Sequence, residues 1–309
     1  MCSHIDSFAG IGVRIAVYIQ GFLPLIPAVF QVCAARPLTE FQLQAMQSAS
    51  SSLITGVALI ISAIIQQHTQ GLSVFHALVM LKLCWITVFG SFIPLIFLAY
   101  FEERGIKIIK HKAAGMALLL TVKLTLMGGF GVWMLSQFST FDSNPTPCTS
   151  STVFWVLGHY PHVTSRPFRN ALLALYSFLL VPGVNVFAIT LLLLPAAVIV
   201  TLLVSPFTVT PARHVNLGAL PPQNTNHTLG KAVLPASLAL QNAIIVVTIE
   251  KTIQSNNVGS EEQKWGLGQT YAVMIALIPA LEVCKQIFRI LEPSPATVQD
   301  RAPSPTIND

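Results

Sequence analysis

The chain has 309 residues, of which 9% are charged and 53% hydrophobic, whereas a soluble domain carries about a quarter of its residues charged. That composition excludes a water-exposed globular surface, and the apolar residues fall in blocks of roughly twenty, the pattern of helices whose main solvent is lipid. The net charge of +5 does not point to nucleic acid: the basic residues are scattered, and the one dense group, Arg104, Lys107, Lys110 and Lys112, lies between two apolar blocks, where it reads as a topology determinant.

Seven spans are expected in chain order, at about 8–35, 49–67, 74–100, 113–135, 171–204, 233–253 and 265–287, each close to or above the roughly 20 residues a helix needs to cross hydrocarbon. The first is interrupted by Pro24 and Pro27, and Gly10, Arg14, Tyr18 and Gly21 share a packing face on it. A cleaved signal peptide ending near Ala34-Ala35 is the rival reading, opposed by the lack of a basic leader and by Arg14 inside the apolar run. In the second span Ser48, Ser52, Thr55, Ser62 and Gln66 fall on one face. They either line an aqueous cavity or, the preferred reading, allow close helix packing. The fifth block carries Pro182-Gly183 and Asn185. With no matching break in an inverted second half, an over-long tilted or kinked helix is expected there rather than a discontinuous, ligand-coordinating one.

Orientation follows from the basic residues of the connections. With the N-terminus outside, Arg36, Arg104, Lys107, Lys110, Lys112, Arg213, Lys231, Lys285, Arg289 and Arg301 lie inside, and only Arg166, Arg169, Lys251 and Lys264 lie outside. Dividing the fifth block into two spans gives seven on each side and loses the bias. The 138–169 connection is then an outside loop and 205–232 an inside loop, and 293–309, rich in Pro, Ser, Asp and Arg, is a disordered cytosolic tail with two Ser-Pro dipeptides, at Ser294 and Ser304.

Ionisable residues inside hydrocarbon are the sharpest chemical signal, because each costs several kcal/mol unless paired, hydrated or able to snorkel. Arg14, Lys82, Lys123, Glu250 and Glu282 qualify. Arg14 lies within two turns of its span's outer end and can snorkel, whereas Lys82 is about 12 Å deep and Lys123 about 15 Å. Depth matching gives Glu250 to Lys82 or Arg14, with Lys82 the partner to test, and leaves Lys123 with Glu282 or water. Lys285, three residues after Glu282, competes for that carboxylate. Helix-fixing ion pairs are the leading reading, a substrate or proton path the other.

No enzyme motif is present: there is no HExxH, histidine box, nucleophile elbow or catalytic carboxylate pair. No cofactor or metal site is expected either. His159 and His162 have HxxH spacing without further ligands at suitable spacing, and the cysteines at 2, 33, 84, 148 and 284 form no CxxC. Cys33, Cys84 and Cys284 read as small core residues, and Cys2 and Cys148 fall on the outer side, where a disulfide is open to them. Asn226-His227-Thr228 is a glycosylation sequon on the inner side, hence silent.

Three stretches carry a family resemblance: Gly10-Ile-Gly-Val-Arg-Ile-Ala-Val-Tyr-Ile-Gln20, Gly71-Leu-Ser-Val-Phe-His-Ala77, and Trp265-Gly-Leu-Gly-Gln-Thr270 with Ile278-Pro-Ala-Leu-Glu282. They resemble a largely uncharacterised family of multi-pass membrane proteins common in mushroom-forming fungi, which implies seven helices and no known activity. The chain departs from that family after Trp85, at Ile86-Thr87-Val88-Phe89, and at Thr248.

The sequence therefore predicts an all-α integral membrane bundle of about seven transmembrane helices, not an enzyme, partnered by the lipid bilayer. A receptor-like sensor or a small-solute or ion transporter are the alternatives for its activity. The receptor reading rests on the span count and on Glu103-Arg104, without an NPxxY-like end, a retinal-type lysine in span seven or an outer cysteine on span three.

Overall fold

The structure is a computed structural model that describes residues 10–27, 29, 39–69, 71–100, 107–138, 140, 141, 152–155, 158–187, 189, 225–256 and 267–291. Its described elements are helices: α1 (Ile11–Phe22), α2 (Thr39–Thr69), α3 (Val74–Tyr100), α4 (Lys107–Ser136), α5 (Arg166–Leu180), α6 (Thr225–Ser255) and α7 (Leu267–Leu291). The β pairing among the described residues is one antiparallel bridge, Val153 to His162.

Among the described residues, four segments are long and apolar enough to cross a membrane: Gln42–Thr69, Val74–Phe92, His111–Ser136 and Ala236–Ser255. Helices suit that solvent because every backbone N–H and C=O within the hydrocarbon must find its partner inside the chain. Their outward faces are apolar at helical spacing, with Ile54, Ile61 and Ile65 on α2, Leu118 and Val122 on α4, and Leu240, Ile244 and Val247 on α6. Such faces have no place in water and belong against acyl chains.

α3 is the central post. Its Val74–Phe92 segment is 94% buried, and it packs against α1, α2, α4 and α6. Its Leu81, Cys84 and Val88 join Ala49, Leu53 and Ile60 of α2 and Leu120, Leu124 and Met127 of α4 in one apolar core. α5 lies on α4, where glycine permits backbone contact: a Cβ on Gly128 would sit 2.8 Å from the Tyr176 oxygen and the Leu180 nitrogen.

Several helices exceed the expected bounds. α2 starts at Thr39, α4 at Lys107 and α6 at Thr225, because hydropathy marks only the hydrocarbon-facing part of a helix, while backbone hydrogen bonding carries the helix on through polar residues. The 225–232 part of the expected inside loop is thus helical.

The fifth block departs most from expectation. It is not one kinked helix: α5 closes at Leu180, Val181 is extended (φ −88°, ψ 109°), Gly183 has φ +87°, and helical backbone resumes at 184–187. Pro182 offers no N–H and biases Val181 out of the helical region, and Gly183 accepts the left-handed turn. The Asn185 amide then donates to the freed Leu179 oxygen, to the Thr121 oxygen and to Thr125 Oγ1, each at 3.3 Å. Residues 191–204, most of the connection 205–232, the tail 293–309, Cys2, Cys33 and Cys148 lie outside the described residues. Cys84 is buried as expected, but Cys284 is exposed on α7 and is not a core residue.

Candidate functional site: buried charges in the bundle

Arg14 and Tyr18, one turn apart on α1, both reach Glu250 near the end of α6. Arg14 Nη1 lies 2.5 and 2.6 Å from the two carboxylate oxygens, and the Tyr18 hydroxyl donates to Oε1 at 2.7 Å. The guanidinium is almost wholly buried, the carboxylate 38% exposed, and Arg14 Nε is buried with no partner. The face of α1 expected for packing therefore also carries a charge-assisted clamp to α6.

This overturns the pairing of Lys82 with Glu250. Lys82 Nζ instead donates to Thr252 Oγ1 at 2.6 Å, the Thr248 oxygen at 3.2 Å and the Trp155 oxygen at 3.4 Å, and lies 3.7 Å from the centre of the Phe154 ring. Three acceptors match the three protons of an ammonium, and the ring face adds a cation–π contact. Depth was a sound guide to which end of the bundle holds these groups. It could not choose between Arg14 and Lys82, because that depends on the rotation of α1 and α3 about their own axes.

Of the two partners that depth matching left to Lys123, Glu282 is excluded. Glu282 bonds to Lys285 at 3.0 Å on an exposed face of α7, a local pair of little energetic weight. Lys123 is fully buried between α2, α3 and α4, and its Nζ donates to Thr87 Oγ1, whose own proton goes to the Cys84 oxygen at 2.8 Å. Gly56 of α2 allows this approach, since any side chain there would collide with the Lys123 ammonium. Ion pairs among the described residues are Arg14–Glu250 and Glu282–Lys285, so the Lys123 ammonium has no carboxylate opposite it there.

The polar face of α2 points inward in part. Ser48, Ser52 and Gln66 are buried, and Ser48 Oγ, Ser52 Oγ and Gln66 Oε1 have no hydrogen-bond partner among the described residues. Sequence reasoning missed the neutral partners of the lysines. Each lysine meets one hydroxyl, Thr252 for Lys82 and Thr87 for Lys123, while Thr248 and Ser91 spend their hydroxyl protons on carbonyls. Sequence reasoning also missed the fold of the loop around Val153: Asn256 at the end of α6 brackets Val153, accepting from its N–H at 2.8 Å and donating to its oxygen at 2.7 Å.

His159 and His162 are exposed, and no group of three potential metal ligands gathers among the described residues. No family model, curated protein or solved structure matches the chain.

Proposed function

We propose that this chain is a multi-pass integral membrane protein that crosses the bilayer about seven times, N-terminus outside and tail in the cytosol, and that it is a small-solute or ion transporter rather than an enzyme. The observation that carries the transport reading is Lys123. It lies twelve residues after His111, about 18 Å into the span, fully buried and with no carboxylate opposite it among the described residues. A charge at that depth is costly, and one held by a single hydroxyl is poorly repaid as structure alone.

Seven crossings are supported by what meets at one end of the bundle. The starts of α1, α3 and α7 and the ends of α2, α4 and α6 are joined there, through Arg14–Glu250, Gly12–Gln269, Gln67–Phe141 and Lys82–Thr252. Helices that alternate in direction in this way are those of a chain crossing back and forth. The reading keeps the chain with the fungal multi-pass family that it resembles.

A receptor-like sensor is favoured by a different observation: Trp155 and Phe154 of the outer loop rest on Lys82, which holds α6 through Thr252, so anything that moves the loop moves α6. Purified protein in sealed liposomes separates the two. Transport predicts solute flux that Lys123→Met removes while the protein keeps its melting temperature within a few degrees. Absence of flux for every small ion tried, with stabilisation by an outer-side ligand, would leave the sensor.

A further inference from the structure

Polar groups in the centre of the bundle are arranged around what they lack. Ser48, Ser52 and Gly56 follow at four-residue steps on one face of α2. Gly56 abuts the Lys123 ammonium and Thr87 Oγ1, and one turn along α3 Ser91 Oγ donates to the Ala49 oxygen at 3.2 Å. The 48–56 stretch of α2 and the 84–91 stretch of α3 therefore run side by side, with Lys123 of α4 closing the third side.

Counting protons on this constellation separates spent donors from free ones. The Thr87 proton goes to the Cys84 oxygen, and that of Ser91 to the Thr87 and Ala49 oxygens. Lys123 gives one of its three protons to Thr87. Two ammonium protons and the hydroxyls of Ser48 and Ser52 remain. Both serines are buried, 3% and 0% exposed, and neither oxygen has a partner among the described residues. An unmet hydroxyl in such a place costs free energy, and an unpaired ammonium costs more.

We propose that Lys123 and Ser52 form a binding site for a small monovalent inorganic anion of halide size, with Thr87 orienting the ammonium; this rests on the transport reading and names the class of its substrate. One uncompensated positive charge calls for one negative charge. The donors are hydroxyls and a compact ammonium, which suit a spherical acceptor, whereas a carboxylate or phosphate is better met by the planar fork of an arginine. Gly56 lets the α2 backbone close on the ammonium, which excludes a bulky organic anion from that side.

The test uses the full-length protein in detergent, its melting temperature followed as chloride, bromide or nitrate replaces gluconate at constant ionic strength. The wild type is expected to gain stability saturably with the halide. Ser52→Ala should weaken that affinity about tenfold, the usual effect of losing a hydrogen bond to a charge, yet be no less stable than wild type in gluconate, because it deletes a hydroxyl that has no partner. That reversal between the two salts is what a merely structural serine would not give. A wild-type melting temperature indifferent to the halide overturns the proposal, as does a Ser52→Ala loss of equal size in both salts, which marks a water-filled site. Flux in liposomes is read beside it. Halide binding without flux keeps this site and removes transport; flux without halide binding keeps transport and overturns this site.

Discussion

Arg14 holds Glu250 through a single guanidinium nitrogen, 2.5 and 2.6 Å from the two carboxylate oxygens, and joins the first helix to the sixth across 236 positions of sequence. Because the arginine is buried and the carboxylate only half so, losing either partner is not symmetrical. Glu250→Gln leaves an arginine stranded in the bundle and should be the more damaging change, whereas Arg14→Met leaves a carboxylate that water can reach. In a double-mutant cycle on the detergent-purified protein, the two changes should couple by about 0.5–3 kcal/mol. Lys82→Met combined with Glu250→Gln should be closer to additive. Strong coupling in that second cycle and none in the first would restore the Lys82–Glu250 pairing and displace the clamp.

Lys82 makes a separate prediction. Its shortest bond, 2.6 Å, is to Thr252 Oγ1, which also accepts from the Trp155 N–H at 3.2 Å. Thr252→Val keeps the shape and removes the oxygen that ties loop, α3 and α6 together. Amide exchange at 153–155 should accelerate markedly in Thr252→Val while exchange within α4 stays unchanged. Equal protection in both proteins would mean that Asn256 alone secures the loop.

The blocks of apolar residues made the helical class and the four long apolar helices legible in the sequence, because lipid imposes its demand on every residue of a span; that α3 is central was not. The five intramembrane charges were legible as well, from their cost. Their partners were not. Lys123 meets Thr87 and Lys82 meets Thr252 because of helix rotations set by packing such as that at Gly56, and a hydroxyl acceptor costs little enough in hydrocarbon to leave no mark on hydropathy. The break at Val181 was misread for a related reason. Pro182-Gly183 announces an interruption, but whether it bends or ends the helix depends on Asn185 finding the carbonyls of Leu179 and Thr121.

Glycines of α4 provide a graded test of packing. Gly128 lies against the backbone of α5, Gly129 has Leu180 Cδ2 at 3.6 Å from where a Cβ would be, and Gly115 faces open space. Gly128→Ala should therefore lower stability by roughly 1–3 kcal/mol, the cost of overpacking. Gly129→Ala should be near neutral, and Gly115→Ala should add up to about 1 kcal/mol through helix propensity. Thermal melting of the three variants checks the order. If Gly128→Ala were as mild as Gly129→Ala, α5 would not lie against α4 as described.

The orientation makes the last prediction. Asn226, in the sequon Asn226-His227-Thr228, opens α6, while Glu250 and Thr252 near the other end bond to Arg14 and Lys82. Twenty-four residues of helix separate Asn226 from Glu250, about 36 Å and more than the hydrocarbon thickness, so the two ends of α6 face opposite sides of the membrane. In the proposed orientation Arg104, Lys107, Lys110 and Lys112 lie inside, and alternation puts Asn226 on the same side. The sequon should remain unmodified in a eukaryotic expression host, and a C-terminal tag should resist protease in sealed right-side-out vesicles. An endoglycosidase-sensitive mass shift that disappears in Asn226→Gln would place that end of α6 in the lumen. The Arg14–Glu250 clamp would then face the cytosol, and the Lys82-held loop would become an inner one, unable to receive an extracellular ligand.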